Sequence, residues 1–171
     1  MIKKLLFFCC FFVLFATLSA VANVHVGQQV PVFNLKDLDG RVVDLGSVVG
    51  SKPIVLVFWA TWAKDCAPKL AKINAYYSKY GKDDIKFVGI NIGMNDTEKK
   101  ARAYVQKNEM MYPTVFDKTG ELSQKYQLNK VFSIIVVSKD GTMMMRLNNV
   151  PMIDDSVLEM LNSYVRPSTK K

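Results

Sequence analysis

Two strand-like runs separated by a helix-like segment constrain the fold more than any other feature of this chain. Residues 54–59 form an unbroken β-branched and aromatic run, which is typical of a strand buried on both faces, and residues 85–92 form a second such strand. Between them, apolar residues recur every three or four positions over residues 67–80, and Gly81 follows as a stop signal. This order predicts two parallel strands joined by a helix that packs on the sheet.

A β-hairpin is predicted on each side of this unit. The turn residues are Asp39-Gly40 in the first hairpin and Lys139-Asp140-Gly141 in the second. The strands that flank these turns are residues 32–35 with 42–45, and residues 134–137 with 143–147.

Further helices complete the predicted fold. An Asn95-x-x-Glu98 box predicts the start of a helix that carries Ala101, Tyr104 and Val105 on one side. The remaining predicted elements are a short strand at 112–116, a helix at 121–126, and a final helix capped by Asp154 or Asp155 that runs to residue 164. The sequence therefore predicts a single α/β domain that has a mixed central sheet, helices on both faces and an N-terminal β-hairpin.

The first 22 residues have the pattern of a secretory signal peptide. Two lysines precede an apolar stretch at residues 5–18, and Ala20-Val21-Ala22 supplies the small residues of a cleavage site. We predict cleavage after Ala22; the alternative is an uncleaved anchor, although the apolar core is shorter than the roughly 20 residues of a spanning helix. The sequence thus predicts a periplasmic protein, or a membrane-anchored one that faces the periplasm. Its globular domain would cover residues 23–166, and residues 167–171 would form a disordered tail.

Removal of the leader changes the cysteine content and the net charge. Cys9 and Cys10 leave with it, so Cys66 remains as a lone cysteine and no internal disulfide can form. Loss of two lysines lowers the net charge from +8 to +6, and the basic residues are scattered along the chain. Export and scattered charge argue against a nucleic-acid partner. His25 is the only histidine and nothing pairs with it, so the sequence predicts no metal site and no cofactor.

The segment that ends the first buried strand resembles a known redox site. Residues 58–66 are Phe-Trp-Ala-Thr-Trp-Ala-Lys-Asp-Cys, which is similar to the active-site segment of exported thioredoxin-like proteins of the TlpA and ResA type. Other phrases that carry the resemblance are Val26-Gly27, Pro31-x-Phe33-x-Leu35, Val88-Gly89-Ile90-Asn91-Ile92 and Ser138-Lys139-Asp140-Gly141. The resemblance covers nearly all of residues 26–165. It implies a thioredoxin fold and membership of the redoxin family of thiol-disulfide oxidoreductases.

The resemblance also implies that the active site is degenerate. In the family, the first cysteine of the pair attacks a disulfide and the second resolves the mixed disulfide. Ala63 stands at the first position of the segment Ala63-Lys64-Asp65-Cys66, so only the second sulfur is present. Alanine has no group that can attack a disulfide.

Two further departures lie next to this segment. Phe132, followed by Ser133, stands where the family has a cis-proline, and Val57 stands where relatives often have a polar residue. A cis bond before a non-proline residue costs about 2.5–4 kcal/mol, so we expect a trans bond before Phe132 and a reshaped groove.

These departures leave two functional hypotheses open. The first is a binding or accessory protein in envelope redox chemistry or protein maturation, which holds a protein client or redox partner without turning it over. The second is a single-cysteine oxidoreductase in which Cys66 exchanges with a disulfide and an external thiol resolves the product; Lys64 would favour the Cys66 thiolate and Asp65 would oppose it. The site would be close to the membrane if the leader is retained. The candidate binding residues are Trp62, Ala63, Lys64, Asp65, Phe132 and Ser133, and the candidate catalytic residue is Cys66.

Overall fold

The computed structural model describes residues 24–81 and 83–152, together with Ser156 and Ser163. The predicted signal peptide, both candidate caps of the final helix and the predicted tail lie outside the described residues. Ser156 and Ser163 are both helical. Among the described helices, none combines the length and apolar character that crossing a bilayer requires.

The described residues form seven strands in two sheets. These strands are β1 (Asn34–Lys36), β2 (Val42–Asp44), β3 (Ile54–Trp59), β4 (Lys86–Asn91), β5 (Thr114–Phe116), β6 (Ser133–Val137) and β7 (Met143–Leu147). β1 and β2 form the N-terminal antiparallel hairpin. The other five form a sheet in the order β5-β4-β3-β6-β7, in which β3 is parallel to β4 and antiparallel to β6. The predicted mixed sheet and N-terminal hairpin are therefore confirmed.

Helices cover both faces of the five-stranded sheet. They are α1 (Cys66–Tyr80), α2 (Glu98–Lys107) and α3 (Glu121–Lys125). Because side chains alternate across a strand, Val55 and Val57 of β3 face α1 and α2, whereas Leu56 and Phe58 face α3 and the hairpin. Two separate apolar clusters, one on each face, therefore hold the layers together, as a three-layer domain requires.

Several predicted boundaries were wrong in detail. α2 is capped by Thr97, whose side chain accepts a hydrogen bond from the Lys100 amide at 3.2 Å, and not by Asn95. Asn95 has a φ of 55° and lies in the loop before the helix. An N-cap residue has extended backbone geometry, which Thr97 has, so the box pattern placed the helix start two residues early. Likewise β1 begins at Asn34, not at Val32.

Candidate functional site

Four strands meet at the edge of the sheet that carries the candidate site. Trp59 of β3 is level with Asn91 of β4, which in turn is level with Phe116 of β5. β6 runs in the opposite direction, so its first residue, Ser133, pairs with Phe58 at the same edge. The loops that leave β3, β4 and β5 and the loop that enters β6 therefore converge, which is a common position for a binding site in α/β folds.

The Ala63–Cys66 segment forms the tight turn that leads into α1. The Cys66 amide donates a hydrogen bond to the Ala63 carbonyl at 3.1 Å. Asp65 is the N-cap residue, but its side chain makes no capping hydrogen bond. Ala63 is half-buried ahead of the first helical turn, whereas Cys66 is fully buried inside it. Of the two positions, the one closer to solvent is thus the one that lacks sulfur.

Burial raises the pKa of the Cys66 thiol above its ordinary value. A backbone hydrogen bond at Ala60 and the positive charge of Lys69 oppose this effect, and the negative charge of Asp65 adds to it. The cation that lowers the pKa of this thiol is thus Lys69, one turn along α1, a residue that the sequence analysis did not select. A buried thiol with a raised pKa is protonated at neutral pH and is a poor nucleophile.

A cavity of about 310 Å³ lies beside the start of α1. Five of the seven predicted site residues line it: Ala63, Lys64, Asp65, Cys66 and Phe132. Its other lining residues include Lys69, Lys130 and Asn148, which sequence reasoning missed because they are distant along the chain. The cavity therefore joins the α1 turn to the loop that enters β6.

Phe132 and Ser133 fix the shape of that loop. Phe132 is buried, and the Lys69 ammonium lies 4.8 Å from the centre of its ring, in a cation–π contact. Within the described residues every peptide bond is trans, including the one before Phe132, as expected. Ser133 is also buried, and its hydroxyl donates to the Lys130 carbonyl at 3.0 Å. Phe132 thus forms part of the cavity wall, whereas the Ser133 hydroxyl is hydrogen-bonded within the loop.

Trp62 does not line the first cavity but is hydrogen-bonded to a residue of a second one. Trp62 is 43% exposed, and its Nε1 donates to the Met94 carbonyl at 2.8 Å. Met94 lines a larger cavity of about 600 Å³, which lies between the loop after β4 and the segment that follows α3. Lys130 and Val131 line both cavities, so the two adjoin. The sequence grouped Trp62 with residues of the first cavity, and it gave no sign of the second.

A buried Asn91 and a half-buried Asp96 hold the site turn in place. The Asp96 carboxylate accepts hydrogen bonds from the Thr61 amide and hydroxyl, each at 2.9 Å, and from Asn91 Nδ2 at 2.9 Å. Sequence reasoning did not select these residues. The available signal was that Asn91 ends β4, while Thr61 and Asp96 lie in the loops that follow the parallel strands β3 and β4, whose ends meet at one edge.

Partial burial raises the pKa of Asp96, but the hydrogen bonds from Asn91, Thr61 and Thr97 outweigh burial, so the pKa is lower than the ordinary value. A lowered folded-state pKa stabilises the protein above the unfolded-state pKa of about 3.9, and this contribution is lost as the pH falls through the folded-state pKa. Asp96→Asn should therefore lower the free energy of unfolding by about 1–2 kcal/mol at pH 7, and by less below pH 4. Urea unfolding of both proteins across this pH range measures the difference. A difference independent of pH would contradict the ionic role of Asp96.

Comparisons with known proteins agree with this geometry. The sequence profile of the AhpC/TSA family matches residues 26–146. The chain is 24% identical over 151 residues to the thiol-disulfide oxidoreductase ResA of Bacillus cereus, which covers 88% of this chain and 83% of the relative. It is 30% identical over 143 residues to a thioredoxin-like protein of Haemophilus influenzae, covering 81% of this chain and 83% of that protein.

A solved structure gives the same result for the fold. A thiol:disulfide interchange protein of the thioredoxin family from Chlorobium tepidum superposes with a TM-score of 0.67 at 20% identity, covering 82% of this chain and 100% of that one. The family match, the relatives and the shared fold together show that the chain belongs to the AhpC/TSA family, as a thioredoxin-fold redoxin of the TlpA/ResA type.

Proposed function

We propose that this chain is an exported redoxin that has lost its attacking cysteine and binds a protein client or redox partner without reducing or oxidising it. The supporting observation is the combination of Ala63 at the accessible start of the site turn and a fully buried Cys66. Dithiol exchange needs an attacking thiolate and a resolving thiol. A methyl group at Ala63 supplies neither an electron pair nor a bond to break.

The monothiol alternative is disfavoured by the surroundings of Cys66. The thiol is buried, and burial dominates the rise of its pKa over the opposing effect of Lys69. A nucleophilic cysteine needs solvent access and a stabilised thiolate. The cavity around the site turn and the exposed ring of Trp62 favour recognition of a partner in place of chemistry.

The proposal includes a location outside the cytoplasm. It rests on the signal-peptide pattern of residues 1–22 and on the likeness to ResA-type proteins. Partners would be polypeptides of the cell envelope, in redox chemistry or protein maturation. N-terminal sequencing of the exported protein tests the location, and a chain that starts at Met1 would contradict cleavage after Ala22.

The proposed function predicts binding that does not depend on Cys66. In an insulin reduction assay with dithiothreitol, the protein and its Cys66→Ala variant should both leave the rate at that of dithiothreitol alone. A thiol reagent should label Cys66 only after denaturant is added. Pull-downs under thiol-trapping conditions should capture the same partners with both proteins, because the contacts are non-covalent.

Each measurement has an outcome that would overturn the proposal. Insulin reduction above the blank, abolished by Cys66→Ala, would show that the single cysteine is catalytic. Capture that disappears in Cys66→Ala and reverses with a reductant would show mixed-disulfide exchange and favour the monothiol alternative.

A further inference from the structure

The two cavities at the end of the sheet share a wall. Lys130 and Val131 line both, the smaller cavity on one side and the larger on the other. The hydrogen bond from Trp62 to the Met94 carbonyl fixes an exposed indole ring at the rim of the larger cavity. One extended chain can therefore cross from the turn at Ala63 over Lys130 and into the larger cavity.

The charges around this surface are strongly unbalanced. Lys64 lines the smaller cavity, Lys118 the larger and Lys130 both, and all three are exposed. Within the described residues, no carboxylate lies within ion-pair distance of their ammonium groups. Asp65 is the one acidic residue among the described residues that line either cavity. Unpaired ammonium groups that surround a groove attract an anionic ligand.

The larger cavity also has an apolar part. Ile92 is buried in its wall, and Leu128 and Val131 are partly buried there. Its volume of about 600 Å³ is within the range of pockets that bury a ligand group. An apolar side chain in this cavity would remove Leu128, Val131 and itself from water, so the surface has an apolar anchor as well as a charge preference.

We propose that the two cavities form one groove that binds an extended, acidic polypeptide segment. An apolar side chain of the segment enters the larger cavity, and its carboxylates lie beside Lys64, Lys118 and Lys130. This inference rests on the proposed function, because it names the chemistry of the partner that the binding protein holds.

Fluorescence anisotropy with short labelled peptides tests the groove. The probe has glutamates on both sides of one phenylalanine; one control peptide has glutamines in place of the glutamates, and another has serine in place of the phenylalanine. Both controls should bind at least about tenfold more weakly than the probe, because each lacks one of the two recognised features. Added salt should weaken binding of the probe and leave binding of the glutamine control unchanged.

A charge-reversal pair tests the position of the groove. Lys130→Glu should weaken binding of the probe peptide about fivefold to tenfold, since it removes one attraction and adds one repulsion. Lys139→Glu makes the same change in net charge, but Lys139 is exposed in the turn between β6 and β7, at the opposite end of the sheet. It should leave affinity almost unchanged. Lys64→Glu serves as a second groove variant if Lys130→Glu does not fold.

The outcomes separate this inference from the function on which it rests. Equal binding of the acidic and glutamine peptides, or equal losses in Lys130→Glu and Lys139→Glu, would overturn the acidic groove. If pull-downs still capture partners in that case, the binding function stands and only the charge preference fails. Binding of anionic phosphatidylglycerol vesicles, lost in Lys130→Glu while the acidic peptide does not bind, would assign the surface to lipid and overturn the proposal.

Discussion

Ala63→Cys should give this protein dithiol–disulfide chemistry. The turn that a Cys-x-x-Cys pair requires is already present, because the Cys66 amide bonds to the Ala63 carbonyl at 3.1 Å. A thiol at position 63 would lie at the start of α1, where helix N–H groups stabilise a thiolate. We expect an oxidised variant without free thiols and insulin reduction at least about tenfold above the dithiothreitol blank, against none for the natural chain.

Two control variants show whether the result depends on the position of the new thiol and on Cys66. Ala67→Cys adds a thiol at another half-buried alanine of the same segment, directly next to Cys66. It should retain two titratable thiols after oxidation and show no turnover, because adjacent positions lack the required geometry. Ala63→Cys combined with Cys66→Ala should form a mixed disulfide with a substrate but should not complete the cycle, because no resolving thiol remains.

If Ala63→Cys does not reduce insulin, the oxidation state of its two cysteines shows where the cause lies. If the variant oxidises to a disulfide but does not reduce insulin, substrate access is blocked, and Phe132 with Lys69 over its ring is the block. Ala63→Cys combined with Phe132→Pro then tests that cause. If the variant does not form a disulfide at all, the missing sulfur is not the principal reason for inactivity, and the claim that activity was lost through position 63 is contradicted, whereas partner binding is tested separately by the pull-downs.

The fold could be predicted because its signals are local. The unbroken apolar run of β3 and the three-four periodicity of α1 are each contained within a few residues, and both elements are present near the predicted positions. The start of α2 was misplaced because Asn95 and Thr97 are both good N-caps, and the tertiary contacts of the loop decide between them. The hydrogen bonds from Thr61 to Asp96 belong to those contacts.

The candidate site could be predicted where it is contiguous in sequence, or where the family resemblance supplied a distant position, as at Phe132. The Ala63–Cys66 turn is one segment, so the alanine at its first position could be read from the sequence alone. Lys69 acts on Cys66 and contacts Phe132, which lies far along the chain, so that link depends on how β6 pairs with β3. The larger cavity is formed by loops from β4, β5 and α3, and its walls come together only after the parallel strands are in register.

Gly93→Ala should destabilise the protein more than Gly120→Ala, a matched change near the same end of the sheet. Gly93 has a φ of 69°, a conformation that is strained for alanine by about 1–2 kcal/mol. A Cβ atom there would also overlap the carbonyl oxygen of Asp117. The Asp117 amide donates to the Asn91 carbonyl at 2.9 Å, and its carboxylate accepts from the amides of Leu122 and Ser123 at the start of α3. Displacing Asp117 would therefore break hydrogen bonds to both β4 and α3.

Gly120→Ala separates backbone strain from this overlap. Gly120 has a similar φ of 73°, but a Cβ atom there meets nothing within 4 Å. Urea unfolding should give a loss of about 1–2 kcal/mol for Gly120→Ala, from strain alone, and about 3–5 kcal/mol for Gly93→Ala, because lost hydrogen bonds of Asp117 add to the strain. Equal losses would mean that Asp117 moves aside without cost. The wall of the larger cavity that includes Gly93 would then be able to shift, and Asp117 would not hold it in place.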